Sequence, residues 1–390
     1  MKTQVGIIGA GPSGLLIARI LQMNGIDAVV LERRSREYVL SRVRAGVLES
    51  GTVDTLRAYG MDERLNREGI PMRSMQLCWN KQKADVSLED GTGRHLTTYG
   101  QQKIVEDLIT RRELDGLPII FEADVKRFEN IEDAPRVHYT HNGEDKVLEC
   151  LFIAGCDGYH GVSRRHIPGS DEAVFLTEYP FAWLGILAEA APLPARRGFA
   201  HSERGLAVAS ARSTTVGRLY LQVEPDADPN AMSDQEIWDE LDLRLEDGTD
   251  AKLNRGPIIE RSVARLRGYV CEKMRYGRLA IAGDAAHIVP PSGGKGLNLA
   301  VGDARVMAEA IRRFLTRGDT DLLDRYSEIC LRRIWPTVHW ACSMCEAFHM
   351  FPGQNSFQTR MQYELINHWG NTEIGQQRLR KAQLGLPYEI

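Results

Sequence analysis

The first forty residues alternate apolar and turn-forming stretches in a pattern that fixes their elements. Thr3 to Ile8 is an apolar strand that runs into Gly9-Ala10-Gly11-Pro12-Ser13-Gly14, followed by helical Leu15 to Leu21 and a Gly25 stop. Ala28 to Leu31 forms a second strand ending in Glu32. This β-α-β unit carries G-x-G-x-x-G in its turn, with an acidic residue 18 positions after the last glycine, the spacing of a dinucleotide site whose carboxylate meets a ribose hydroxyl. Gly9 permits the tight turn, Gly11 lets a pyrophosphate approach amides at the positive helix end, and Gly14 lets helix and strand pack closely.

Two later apolar strands end in the same kind of turn. Leu148 to Ala154 leads into Gly155-Cys156-Asp157-Gly158, and Arg278 to Ala282 leads into Gly283-Asp284-Ala285-Ala286-His287. The second continues through Pro290-Pro291-Ser292-Gly293-Gly294-Lys295-Gly296 into a helix from Leu297 to about Phe314, again offering helix amides to an anion. It is not a Walker A loop, because Gly296 follows Lys295. One dinucleotide is thus expected to be held by three separated segments.

From Phe181 to Val223 the period is two, which predicts antiparallel strands. Ser210 and Arg212 share one face of their strand, as do Arg218, Tyr220 and Gln222 of the next. If the two strands pair, a hydroxyl, a guanidinium and a phenol converge, which suits a carboxylate. After about Cys330 the chain reads as polar helices that pack across the sheet or between subunits.

Composition narrows the class. With 390 residues, 43% hydrophobic and 26% charged, the chain predicts two or three folded units. Its 49 basic and 53 acidic residues give a net charge of −4, no invitation to nucleic acid or an anionic membrane. No apolar run is long enough to span a bilayer. The seven scattered cysteines suit reduced thiols in a cytoplasm, and the lone Cys342-x-x-Cys345 has no second pair with which to hold zinc. No metal site is expected.

The three glycine-bearing segments, with Arg42-Val43-Arg44-Ala45-Gly46-Val47-Leu48-Glu49, Tyr99-Gly100-Gln101, His160 and Pro290-Pro291 through Asn298, resemble the 4-hydroxybenzoate 3-monooxygenase family of group A FAD-dependent aromatic hydroxylases. The likeness runs nearly the length of the chain. It implies an α/β fold: a Rossmann-like FAD-binding domain of glutathione reductase type, an inserted antiparallel β-sheet substrate domain, and C-terminal helices. The expected boundaries are 1–72, 97–176 and 264–329 for the FAD domain, 73–96 and 177–263 for the substrate sheet, and 330–390 for the helices.

The resemblance also assigns residues. Gly9, Gly11, Ser13, Gly14, Glu32, Arg42, Arg44, Ala45, Gly46, Val47, Gln101, Asp157, Asp284, Leu297 and Asn298 would hold non-covalent FAD. Arg33, Tyr38, His160 and Arg267, with Asp157, match positions for the pyridine nucleotide. Ser210, Arg212 and Tyr220 fall on the family's carboxylate site, and Phe199 and Gln383 line the substrate. Pro291, Arg218, Lys295 and Asn298 are the catalytic positions, with the Pro291 carbonyl facing the para group. The basic turn Arg33, Arg34, Arg36 and Tyr38 suits a 2′-phosphate and so NADPH, with NADH as the alternative. The implied chemistry is hydroxylation by O₂, through a flavin C4a-hydroperoxide, of a small aromatic carboxylate beside its para group. A homodimer is implied too.

One departure shapes the expected substrate. The family's phenol-activating relay of two tyrosines and a histidine falls on Phe199, Gln383 and Met72, none of which titrates near neutrality. A phenol of pKa ~10 is only about 0.1% ionised at pH 7, so such a site forgoes roughly 4 kcal/mol of activation. An aromatic amine needs no deprotonation. The expectation is therefore 4-aminobenzoate, giving 4-amino-3-hydroxybenzoate, with 4-hydroxybenzoate, giving 3,4-dihydroxybenzoate, as the alternative. A different class, a non-oxygenating FAD reductase or sensor, would need no carboxylate trio.

Overall fold

A computed structural model describes residues 1–42, 46–192, 198–249 and 252–388. Strand Val5–Ile8 lies at the middle of a six-stranded sheet, paired in parallel with Ala28–Leu31 on one side and Phe152–Gly155 on the other. Ile119–Ile120 and Leu279–Ile281 extend it in parallel, and Arg275–Tyr276 closes one edge antiparallel. The three central strands are buried at every residue, as strands covered on both faces must be.

Helix Pro12–Met23 covers one face, starting on a proline whose missing N–H costs nothing there. Its glycines are sterically required. A Cβ on Gly14 would lie 2.1 Å from the Gly9 carbonyl oxygen, and Gly9 itself has φ +105° with the Cys156 carbonyl 2.3 Å from its Cβ position. Helix Gly296–Arg317 packs beside it, burying Leu297, Val301, Ala304, Ala308 and Ile311.

The second large sheet has eight strands, in the order His287–Ile288, Ile258–Cys271, Val174–Ala188, Gly217–Val223, Ala207–Ala211, Gly198–His201, Ser74–Trp79, Gln82–Ser87. One pair departs from the antiparallel expectation: Gly198–His201 runs parallel to Ser74–Trp79. No tight turn joins these two segments, so nothing local forces them antiparallel. Strands Val174–Ala188 and Ile258–Cys271 run unbroken across positions 176/177 and 263/264. Helices Tyr326–Phe348, Ser356–Asn371 and Glu373–Leu384 follow. The second lies against the sheet edge, where a Cβ on Gly370 would come 2.6 Å from Ala84 Cβ.

All seven cysteines are free thiols. Among the described residues no helix is long and apolar enough to cross a membrane, and no cluster of His, Cys, Asp or Glu could hold a metal ion.

Candidate active site

The cofactor cleft is built at the carboxyl ends of the parallel strands. Helix Pro12–Met23 begins at Gly11 without a side-chain cap, leaving its first amides for an anion. Space is open around Gly11, where a Cβ would meet nothing within 4 Å. Glu32 sits at the end of its strand, its Oε2 accepting from Ala10 N and its Oε1 from Arg34 N, both at 2.8 Å. Ser13 Oγ would be 2.5 Å from a Cβ on Gly283, so the first and third segments touch. Asp284 is exposed between buried Gly283 and Ala285.

Asp157 supplies the second segment. Its Oδ2 accepts from Ser163 N at 2.9 Å, while Oδ1 is buried with no hydrogen-bond partner among the described residues. Burial pushes its pKa upward, against hydrogen bonds from Ser163. Helix Gly296–Arg317 also starts without a side-chain cap, and helix Gln101–Leu114 starts on Gly100. An open helix end, a second uncapped one and an orphaned carboxylate oxygen fit an anionic dinucleotide. Gly46 and Val47 line the same region: a Cβ on Gly46 would lie 1.8 Å from the Tyr99 carbonyl oxygen, and Gly294 abuts Val47. Arg44 and Ala45 lie outside the described residues.

Lys295 and Asn298, expected among the catalytic positions, have side chains engaged with protein groups. Asn298 Oδ1 accepts from Glu49 N at 2.9 Å and Thr52 Oγ1 at 2.7 Å, while its Nδ2 donates to the Val47 and Gly294 carbonyls at 2.8 and 3.0 Å. Every hydrogen-bonding atom of that amide is committed to tying the 47–52 segment and Gly294 to the helix. Lys295 Nζ donates to Glu49 Oε1 at 2.9 Å and to the Gln383 carbonyl at 2.6 Å. Both side chains therefore position the pocket from behind.

The sheet face expected to take the substrate has the two-residue period of its strands. Ala207–Ala211 and Gly217–Val223 pair antiparallel, with Ser210 opposite Arg218 and Val208 opposite Tyr220. Arg218 Nε donates to Tyr220 Oη, and Ser210 Oγ donates to the Arg218 carbonyl at 2.9 Å. Arg212 reaches the cofactor side, since a Cβ on Gly100 would lie 2.6 Å from its Nη2. Burial, then the neighbouring Arg218, lowers the Arg212 pKa. Met72, Phe199 and Tyr220 pack against one apolar cluster that includes Trp183, Trp340 and Leu384. Gln383 is buried nearby in the last turn of Glu373–Leu384.

Of the expected pyridine-nucleotide residues, Tyr38 lies between two guanidiniums, Arg34 at 4.9 Å and Arg42 at 5.5 Å from its ring centre, and Arg42 donates to its hydroxyl at 2.6 Å. Arg36 is engaged with Glu113 instead. Arg33 is exposed. Tyr159 gathers the others, with His160 edge-on at 4.9 Å and Arg267 over its ring at 4.9 Å.

Residues 2–341 match the family described as FAD binding domain. Over 391 aligned residues the chain is 42% identical to p-hydroxybenzoate hydroxylase of Acinetobacter baylyi, covering 100% of this chain and 97% of that one. The chain belongs to the 4-hydroxybenzoate 3-monooxygenase family. The hydroxylase is also similar in fold to p-nitrophenol 4-monooxygenase from Pseudomonas putida DLL-E4, with a TM-score of 0.80, 20% identity and coverage of 98% and 99% of the two chains. A probable FAD-dependent monooxygenase from Pseudomonas aeruginosa matches with a TM-score of 0.74 at 19% identity, covering 93% of this chain and 100% of that one.

The hydroxylase is thus an FAD-dependent aromatic monooxygenase, of a class for which NADPH and O₂ are the typical co-substrates, and the reductase or sensor class is set aside. Sequence reasoning missed three supports of its pocket. Asp303 Oδ2 accepts from Gly283 N at 3.0 Å and lies 2.6 Å from His287 Nε2, bracing the turn that carries Asp284. Arg333 and Tyr388 close over Glu49 and Asn298. A lone Asp inside the apolar stretch Leu297 to Ile311 was the one available signal.

Proposed function

We propose that the hydroxylase converts 4-hydroxybenzoate to 3,4-dihydroxybenzoate. The carrying observation is Arg212 and Arg218, two guanidiniums with Tyr220 on one sheet face, beside the Gly100 turn that opens a cofactor-side helix. A half-buried guanidinium fork beside a second guanidinium and a phenol is a donor set that suits a carboxylate, and a benzoate supplies one.

FAD, when bound, supplies the redox and oxygen-transfer chemistry. Helix amides after Gly11 and Lys295 would meet its charged and electron-rich groups, with Glu32, Asp157 and Asp284 at its hydroxyls. Arg212 binds the carboxylate by its fork, with Ser210 and Tyr220 beside it. Phe199, Met72, Val47 and Trp183 exclude water and hold the ring. The Pro291 carbonyl, already accepting from Gly294 N at 3.0 Å, takes the para O–H as its second donor, turning the ortho carbon toward the cofactor.

The preference for 4-aminobenzoate is given up for its alternative. Similarity to a p-hydroxybenzoate hydroxylase supports the phenol, and the absence of titrating groups at Met72, Phe199 and Gln383 removes a proton route without removing the acceptor at Pro291. Purified holoenzyme assayed with each acid for NADPH oxidation and product should show the higher kcat/KM with 4-hydroxybenzoate. A higher value with 4-aminobenzoate overturns this choice, and NADPH oxidation without product from either overturns benzoate hydroxylation.

The basic surround of Tyr38 supports NADPH over NADH. Free, mostly buried thiols support a cytoplasmic setting. Exposed Phe357, Met361 and Leu365, spaced four apart on Ser356–Asn371, support the homodimer, which sedimentation in solution would test as a mass of twice 43.8 kDa.

A further inference from the structure

The indole of Trp340 carries a buried N–H with no hydrogen-bond partner among the described residues, on a residue only 6% exposed. Buried indole donors are ordinarily satisfied, and each exception asks for a reason. Its surroundings supply one. A Cβ on Gly293 would lie 3.6 Å from Trp340 Cδ1, the carbon bonded to the indole nitrogen, so the polar edge of the ring borders the Pro291–Gly293 turn. Ser292 Oγ donates to the Ala341 carbonyl at 2.8 Å, fastening the helix that bears Trp340 to that turn. Trp340 also belongs to the apolar cluster against which Met72, Phe199 and Tyr220 pack.

We propose that Trp340 is a specificity-determining residue whose Nε1–H donates to the para oxygen of the substrate, while that oxygen's own proton goes to the Pro291 carbonyl. This rests on the 4-hydroxybenzoate reading. A phenolic oxygen donates once and still accepts, so both protein groups are satisfied. An aromatic amine donates to Pro291 equally well, but its lone pair is conjugated with the ring and accepts poorly, leaving the indole N–H bare. The same contact favours the phenolate over the phenol, in a site where Met72, Phe199 and Gln383 provide no titrating group.

Trp340→Phe keeps an aromatic side chain and removes the donor. Titrating the holoenzyme, followed by flavin fluorescence, should show 4-hydroxybenzoate weakened about tenfold, unsubstituted benzoate changed less than about twofold, and the phenolic pKa of bound 4-hydroxybenzoate raised in ultraviolet difference spectra. Equal weakening of both acids, or no weakening, overturns the assignment. If the wild-type enzyme binds 4-hydroxybenzoate no more tightly than benzoate, the substrate reading fails instead. Should the variant not fold, wild-type holoenzyme labelled with ¹⁵N at its six tryptophans gives the second test. One indole N–H resonance should move downfield with 4-hydroxybenzoate and not with benzoate, and identical spectra with the two acids overturn the proposal.

Discussion

Lys295 Nζ donates to Glu49 Oε1 at 2.9 Å with side chains only 2% and 4% exposed. The other oxygen of Glu49 accepts from Arg333 Nη2 at 2.5 Å, so one carboxylate holds two cations in the interior. Burial lowers the Lys295 pKa and Glu49 opposes that shift. Glu49→Gln leaves both cations uncompensated and should destabilise the fold by roughly 3–5 kcal/mol, read from denaturant midpoints. Adding Lys295→Met to that variant should recover part of the loss, and purely additive effects would count against the pairing.

Arg212 is the residue on which substrate affinity should depend most. Arg212→Ala is expected to weaken benzoate binding by roughly a hundredfold or more, the cost of leaving a desolvated carboxylate unpaired. Arg212→Lys should recover little of it, because an ammonium lacks the planar fork. FAD affinity is the control. An Arg212→Ala enzyme with native benzoate affinity would move the carboxylate site elsewhere.

The β-α-β unit with its glycine turn was readable because its requirements are local. Gly9, Gly11, Gly14 and Glu32 act within one β-α-β unit, and backbone crowding at Gly9 and Gly14 makes the glycines unavoidable. The shared face of Ser210 and Arg212, and that of Arg218 and Tyr220, was readable because a two-residue period fixes side-chain faces, whereas the register that sets Ser210 opposite Arg218 was not. Side-chain direction at Lys295 and Asn298 was not, since it depends on Glu49, nearly 250 positions away. The parallel placement of Gly198–His201 beside Ser74–Trp79 was hidden for the same reason: it is decided between segments far apart in the chain.

Acid should destabilise the hydroxylase partly through His349. The ring is fully buried, stacked on Phe181 with centroids 4.2 Å apart. Nε2 accepts from Trp183 Nε1 at 2.6 Å, and Nδ1 donates to the Cys345 carbonyl at 2.9 Å. Both nitrogens are used by the neutral ring, and burial pushes the pKa down from 6.5 to about 3. Between those values the unfolded chain takes up a proton that the folded chain refuses, so stability falls as pH falls, by up to about 1.4 kcal/mol per pH unit. His349→Gln should lower stability at neutral pH yet flatten its decline from pH 6.5 toward pH 4. Denaturant midpoints across that range provide the measure, and an unchanged slope would assign the acid sensitivity to other groups.

The ring of Tyr388 occupies a slot made by the absence of two side chains. A Cβ on Gly51 would lie 2.4 Å from its Cε2, and one on Gly302 would lie 2.9 Å from its Cε1. Arg333 and Arg305 cover the ring at 4.0 and 4.8 Å from its centre, and its hydroxyl donates to the Asn298 carbonyl at 3.1 Å. Gly51 lies within helix Ser50–Ala58, where alanine is intrinsically better by about 1 kcal/mol. In the native chain, however, Gly51→Ala must displace the ring, a cost of roughly 1–3 kcal/mol. The substitution should therefore destabilise the wild type and stabilise a Tyr388→Ala background. Thermal midpoints of the four proteins in this cycle test the reversal, and Gly51→Ala acting alike in both backgrounds would place the constraint on Gly51 somewhere other than Tyr388.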